Sequence, residues 1–260
     1  MKINYILLTS LALVYLVSCK PELIAPETSA GDLDPSVFVA IGSDGTAGYA
    51  NDALHSNGQE NSFAAILSKQ INLVATSSFK QPLISSSSAG VSLDSNSRLI
   101  LGYKTDCNGE SSLSPVRETS LGDISLLGTS VYNSASPFHN IGVPGAGILS
   151  INTSGYGNPA NGVGNYNPFY TRIAASQVTG SVLEDAVNLN PTFFSIELGE
   201  ADIMAFAKSG ATNFTPPPAI GIAGIGFDGS LDEVVGALDG NNAKGIISNV
   251  PNVLDYPYFT

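Results

Sequence analysis

A short apolar run that ends in a turn of small residues constrains this chain more than any other feature. Residues 37–41 are Val-Phe-Val-Ala-Ile, and Gly42, Ser43, Asp44 and Gly45 follow directly. An apolar run before a glycine turn predicts a buried strand that passes into a helix. In α/β enzymes, a turn at this position holds a nucleophile or cradles a phosphate. Ser43 and Asp44 lie at the tip of the turn and are the first candidates for chemistry.

Two more apolar segments end in glycine turns. Residues 139–148 turn at Gly145, and the predicted strand 191–199 closes at Gly199. The carboxyl ends of parallel strands share one edge of a sheet, so we expect these turns to converge with the turn at Gly42. The sequence therefore predicts one ligand-binding edge.

Helical segments separate these strands. Apolar residues at helical spacing predict helices at 62–69, 168–175, 181–189 and 230–238. Asn57-Gly58 predicts a break inside an interrupted helical region at 50–71, and a further strand is predicted at 243–251. Alternating strands and helices predict an α/β sandwich with a mainly parallel sheet.

The composition narrows the class of partner. Acidic residues outnumber basic ones by 22 to 10 among 260 residues, which gives a formal net charge of -12. A surface of this sign repels phosphate backbones, and nucleic-acid binding is therefore disfavoured. The length fits one domain with a substantial core.

The N-terminus has the pattern of a secretion signal. Lys2 precedes an uncharged apolar run at residues 5–17, which is short for a membrane span, and Leu-Val-Ser stands directly before Cys19. This resembles the bacterial lipobox, in which the cysteine is lipidated and becomes the mature N-terminus. The alternative is an ordinary signal peptide that contains a cysteine. With a lipobox, residues 1–18 are removed and lipid on Cys19 holds the protein to the bacterial cell envelope, at the outer membrane or its periplasmic face.

The remaining chain divides into a tether and a domain. Residues 19–35 carry three prolines among acidic residues and predict a tether, and residues 36–260 form the domain. A long surface insertion is predicted at about 75–137, with short strands such as residues 99–103. Acylation of Cys19 would leave Cys107 without an intramolecular partner, so no disulfide is expected. Two histidines and one other cysteine give little basis for a metal site, and no cofactor is expected.

Four segments, in order along the chain, carry a resemblance to a known family. They are residues 39–49, 140–146, 199–202, and 249–251 with 257–260. Together they resemble the successive blocks of the SGNH/GDSL hydrolases, most of all the lipoprotein members found in Bacteroidetes. The resemblance implies a flavodoxin-like three-layer α/β/α sandwich and acyl-ester hydrolysis.

The residues that carry this chemistry depart from the family pattern. Gly42 matches, but Ser43 stands at the Asp/Asn position and Asp44 stands at the position of the nucleophilic serine. Gly145 matches the backbone donor of the oxyanion hole, whereas Ala201 replaces the asparagine that completes it. The resemblance therefore implies a hydrolase that is inactive or truncated.

The C-terminal block of the family, Asp-x-x-His, is not found. The string Asp52-Ala-Leu-His55 has this spelling but follows the nucleophile turn, and His139 begins a predicted strand. We therefore expect a domain that is incomplete at its C-terminus, with an exposed parallel-sheet edge that causes poor solubility or is covered by a partner.

Three other hypotheses stay open. The first is a non-catalytic surface lipoprotein that binds a glycan or another envelope ligand through aromatic residues, namely Tyr156, Tyr166, Phe169 and Tyr170. The second is one part of a working enzyme from a split or frameshifted gene. The third is that Ser-Asp-Gly after a strand is ordinary turn and cap chemistry.

Overall fold

A four-stranded parallel sheet forms the centre of the molecule. In the computed structural model, residues 28–212, 214–240 and 242–256 are described. The sheet has the order β6-β1-β7-β8. Its strands are β1 (Phe38–Gly42), β6 (Asn140–Gly142), β7 (Phe193–Glu197) and β8 (Lys244–Ile247). With helices on both faces, this confirms the predicted α/β class with the three-layer, flavodoxin-like arrangement.

Seven helices and four further strands complete the regular structure of the described residues. The helices are α1 (Asp44–Ala47), α2 (Ser56–Glu60), α3 (Phe63–Ile71), α4 (Pro168–Ile173), α5 (Val182–Val187), α6 (Glu200–Lys208) and α7 (Phe227–Asp239). The strands are β2 (Tyr49–Ala50), β3 (Ala53–Leu54), β4 (Leu99–Thr105) and β5 (Ser111–Arg117). Strands β2 and β3 form one antiparallel pair, and β4 and β5 form another.

Strand β1 is buried on both faces, as expected for a central parallel strand. Val39 and Ile41 point into the larger apolar cluster, to which α5 and α7 contribute. Phe38 and Ala40 belong to a smaller cluster with residues of α3. The alternation along β1 thus divides the core into two layers, one on each face of the sheet.

Local capping explains where several helices begin. The Ser62 hydroxyl accepts a hydrogen bond from the Ala65 amide at 3.1 Å, and the Ser181 hydroxyl accepts one from the Glu184 amide at 3.1 Å. Such caps satisfy amides that have no partner inside the helix. Four of the helices, α3, α4, α5 and α7, lie within a few residues of their predicted positions.

Some local predictions were wrong. Asn57-Gly58 does not break a helix but lies inside α2, because the Nδ1 atom of His55 accepts a hydrogen bond from the Gly58 amide at 3.1 Å. Residues 49–54 form the small β2–β3 pair rather than helix. Helix α6 and strand β5 were not predicted.

Strand β8 is an outer strand of the sheet, and all four of its residues are exposed. Ile246 is 40% exposed and Ile247 is 49% exposed. Since successive strand residues point to opposite faces, neither face is fully covered here. The expected exposed edge is therefore present among the described residues.

The described ranges contain no helix long and apolar enough to cross a membrane. The predicted signal segment, Cys19 and residues 257–260 lie outside the described residues.

Candidate functional site

The ends of β1, β6 and β7 meet at one edge of the sheet, as predicted. The Ser43 amide, after β1, donates to the carbonyl oxygen of Glu197 at 3.1 Å. The Val143 amide, after β6, donates to the carbonyl oxygen of Gly42 at 2.9 Å. These bonds continue the ladders of parallel strands beyond their last residues and position the side chains of the turns.

Asp44 lies half-buried at this edge, in the four-residue helix α1. Its Oδ1 atom accepts a hydrogen bond from the Gly145 amide at 2.8 Å. Burial raises the pKa of the Asp44 carboxyl above its usual value, and the bond from Gly145 opposes that rise. The Asp44 side chain thus accepts the hydrogen bond of the Gly145 amide, which the resemblance assigns to an oxyanion hole.

Ser43 is placed differently. Its side chain is 1% exposed, and within the described part of the chain its Oγ atom has no hydrogen-bond partner. A nucleophilic serine needs access to substrate and a base that removes its proton. Ser43 has neither, so a nucleophile turn displaced by one residue does not restore the chemistry.

Glu197 is the main site residue that sequence reasoning missed. Its Oε2 atom accepts hydrogen bonds from the Ser43 amide at 3.2 Å, the Thr46 amide at 3.0 Å and the Thr46 hydroxyl at 3.1 Å. Burial is the main cause that raises the pKa of Glu197 to about 7. The sequence did contain a signal for this residue, because Glu197 is a carboxylate at the end of an apolar strand and stands two residues before the turn at Gly199.

Asp202 fixes the loop that follows β6. It is 5% exposed, and its Oδ2 atom accepts a hydrogen bond from the Ile148 amide at 2.9 Å. A Cβ atom on Gly147 would lie 2.2 Å from the Asp202 Oδ1 atom, so glycine permits this close approach. Burial raises the pKa of the Asp202 carboxyl.

Ala201 is the second residue of α6 and has no polar side-chain atom. The position that the resemblance assigns to an asparagine donor therefore holds a methyl group. Its neighbour Glu200 lies close enough to Tyr256 to raise the pKa of that hydroxyl, after burial as the first cause. The edge is consequently rich in carboxylates.

Among the described residues, neither histidine shares a hydrogen bond with Ser43 or Asp44. His55 is 2% exposed and caps α2, and burial lowers its pKa. Asp52 pairs instead with Arg117, so the Asp-x-x-His string is not a catalytic dyad. His139 lies before β6, at the opposite edge of the sheet, where its Nδ1 atom accepts a hydrogen bond from the Lys80 amide at 3.3 Å.

The described residues offer no metal centre. Within them, no group of three or more His, Cys, Asp or Glu side chains could hold a metal ion. Cys107 is free and exposed in the turn between β4 and β5. At the sheet edge, Asp44, Glu197 and Asp202 each accept a hydrogen bond from a backbone amide.

A groove of about 710 Å³ lies next to Gly145. Leu93, Leu149, Tyr156 and Tyr166 line it, together with neutral polar residues of the 163–167 loop. Among the residues that the structure describes, no charged side chain lines this groove. It can thus take a neutral ligand with an apolar surface.

Two of the four proposed stacking aromatics were assigned wrongly. Phe169 is 3% exposed and Tyr170 is fully buried. Both belong to the core, because α4 directs them under the loop, and the Tyr170 hydroxyl donates to the Asp185 Oδ2 atom at 2.8 Å. Tyr156 and Tyr166 are half-buried at the groove.

Fold and site together define an α/β/α protein with a carboxylate-lined turn at the carboxyl edge of its parallel sheet. Searches of protein-family models, curated proteins and solved structures found no match to this chain.

Proposed function

We propose that this protein is a lipid-anchored cell-envelope protein on an SGNH/GDSL-type scaffold that does not hydrolyse esters. The observation that carries the proposal is the hydrogen bond from the Gly145 amide to the Asp44 carboxylate at 2.8 Å. An oxyanion hole must offer free donors to the developing negative charge. Here the Gly145 amide already donates to the negative side chain of Asp44, and that side chain would repel an oxyanion.

The absence of a base near the turn supports the same proposal. A serine esterase requires a histidine within hydrogen-bond reach of its nucleophile. Among the hydrogen bonds of the described residues, none joins His55 or His139 to Ser43 or Asp44. Replacement of Asp44 by serine would therefore supply a hydroxyl without the group that activates it.

Ester hydrolysis by the purified mature chain tests this proposal. We expect no turnover of short-chain nitrophenyl esters above buffer, either by the wild type or by the Asp44→Ser variant. An active serine esterase serves as the positive control. Hydrolysis by the wild type that is abolished by Asp44→Ala or Ser43→Ala would overturn the proposal.

The lipid anchor is tested separately. Metabolic labelling with an alkyne fatty acid in a bacterial host is expected to label the wild type and not the Cys19→Ala variant. Labelling of both variants, or secretion of an unlabelled protein, would contradict the anchor. It would leave the proposal about catalysis unaffected.

Ligand binding in the groove is the second candidate function. Tyr156 and Tyr166 present aromatic surface beside neutral amide and hydroxyl groups, a combination that suits the apolar faces and hydroxyls of a glycan. A glycan array with the Tyr166→Ala variant tests it, with Tyr103→Ala as matched control. Tyr103 is 77% exposed on β4, outside the groove. We expect only Tyr166→Ala to reduce binding, and equal binding by both variants would exclude this site.

A further inference from the structure

A second cavity shares no lining residue with the groove, and none of Asp44, Glu197 and Asp202 lines it. It has a volume of about 180 Å³ and is lined by the 132–138 loop, β6, the end of α4 and the end of α5. A cavity of about 150 Å³ is large enough to hold benzene. This space therefore suits a small organic molecule rather than a polymer.

The cavity contains a single acidic side chain. Asp185 is the one charged residue among those that line it. Its Oδ2 atom accepts hydrogen bonds from the Tyr170 hydroxyl at 2.8 Å and the Ala175 amide at 3.1 Å. Burial raises the pKa of this carboxyl, and the two donors on one oxygen oppose that rise, since an ionised group accepts hydrogen bonds more strongly. Among the described residues, no lysine or arginine lines the cavity.

The remaining walls are mostly aromatic and aliphatic, and Ser134 and Asn188 are their neutral polar members. Tyr132 and Phe138 contribute rings, and Ile141, Ile173 and Leu189 contribute aliphatic surface. The Lys80 ammonium lies 4.8 Å from the centroid of the Phe138 ring, but Lys80 is not among the described residues that line the cavity. That ammonium also donates to the carbonyl oxygen and the hydroxyl of Ser136.

We infer that this cavity binds a small organic ammonium ion, with Asp185 as its counter-charge and Tyr132 and Phe138 against its alkyl surface. A carboxylate together with aromatic faces attracts an alkylated cation. A neutral apolar molecule of equal size would leave Asp185 with its two hydrogen bonds but without a counter-charge. The inference is independent of the proposed function at the sheet edge.

Choline and its uncharged isostere, 3,3-dimethylbutan-1-ol, test the inference as probes of equal shape. Titration of the wild type, followed by NMR or calorimetry, is expected to show at least about 10-fold tighter binding of choline, a factor within the range of one cation–aromatic contact plus a counter-charge. Equal affinity for the two probes, or binding of neither, would overturn the inference.

Two variants test whether the charge of Asp185, rather than the shape of the cavity, causes the preference for choline. Asp185→Asn is expected to remove the preference for choline, whereas Glu184→Gln is expected to retain it. Glu184 makes the matched control because it is exposed, adjacent in sequence and outside the cavity lining. Retention of the preference by Asp185→Asn would overturn the assignment of the counter-charge.

A filling variant covers the case in which Asp185→Asn fails to fold. Ala175 lines the cavity but is exposed, so a larger side chain there can enter the space without displacing core residues. Ala175→Phe is expected to reduce choline binding at least about 10-fold, because choline would lose its contacts with the aromatic ring and with the counter-charge. Its thermal unfolding should be close to that of the wild type. Unchanged choline binding by this folded variant would exclude the cavity as the site.

Discussion

The Glu197 carboxylate accepts hydrogen bonds from both the amide and the hydroxyl of Thr46, at 3.0 and 3.1 Å. With the third bond, from the Ser43 amide, it ties the end of β7 to the turn after β1. The geometry of the turn, and hence the position of Asp44, depends on this one side chain.

Glu197 makes stability depend on pH. Burial raises its folded pKa from 4.5 to about 7, so the native state binds more protons than the unfolded state between these values. Its contribution is fully present below pH 4.5 and is lost as pH rises through about 7. At 1.36 kcal/mol per pKa unit, the loss is at most about 3 kcal/mol.

Urea denaturation at pH 5, 6, 7 and 8 measures this dependence. We expect Glu197→Gln to flatten the decline in the free energy of unfolding across this range. Burial also raises the pKa values of Asp44, Asp185 and Asp202, so part of the slope should persist in the variant. An identical slope in the two proteins would contradict the assignment to Glu197.

Gly147→Ala is expected to destabilise the protein by about 1–3 kcal/mol, the usual cost of overpacking. The added methyl group would lie 2.2 Å from the Asp202 Oδ1 atom and would displace the carboxylate that holds the Ile148 amide. Gly128→Ala is the matched control, because a Cβ atom there meets nothing within 4 Å. Chemical denaturation of both variants checks the difference, and similar midpoints would refute it.

Tyr170→Phe removes the hydroxyl that donates to Asp185 at 2.8 Å from a fully buried ring. We expect a loss of about 1–2 kcal/mol in the free energy of unfolding, because the bond is made to a carboxylate. Tyr103→Phe, at a position 77% exposed on β4, should change it by less than about 0.5 kcal/mol. Equal stabilities of the two variants would show that the buried bond contributes nothing.

The exposed edge at β8 should promote self-association. Ile247→Lys places a charge on this strand at a position 49% exposed, so it should reduce association seen by sedimentation velocity and cost little stability. Ile196→Lys is the control for the strand interior. Ile196 is fully buried and lies beside Ile247 in the sheet, so its replacement should unfold the protein. A wild type that stays monomeric at all concentrations would contradict self-association through β8.

The sequence predicted the parts of this fold that depend on local pattern. Strand β1 was identified from its apolar run and helix α3 from its apolar spacing. The convergence of the turns at Gly42 and Gly145 followed from the rule for parallel strands. These features require no knowledge of distant contacts.

The missed features depend on contacts between distant residues. Glu197 acquires its role only when β7 pairs with β1, 154 residues from the Ser43 amide in sequence. Phe169 and Tyr170 are buried because tertiary contacts surround α4, in which five of six residues are buried, and so short a helix shows no clear periodicity in sequence. Strand pairing therefore determines the role of Glu197, and tertiary packing determines the burial of Phe169 and Tyr170, and local sequence propensity indicates neither.

The strand order has a consequence for synthesis of the chain. Strand β1 is made first, yet Ala40 pairs with Asn140 and Phe38 with Phe193, which are 100 and 155 residues later. At ribosomal rates of 5–20 residues per second, the wait for β7 is roughly 10–30 s. During that time the sheet can offer Phe38, Val39 and Ile41 at most β6 as a partner strand. A nascent chain shorter than about 193 residues should therefore depend on chaperones that hold this apolar strand.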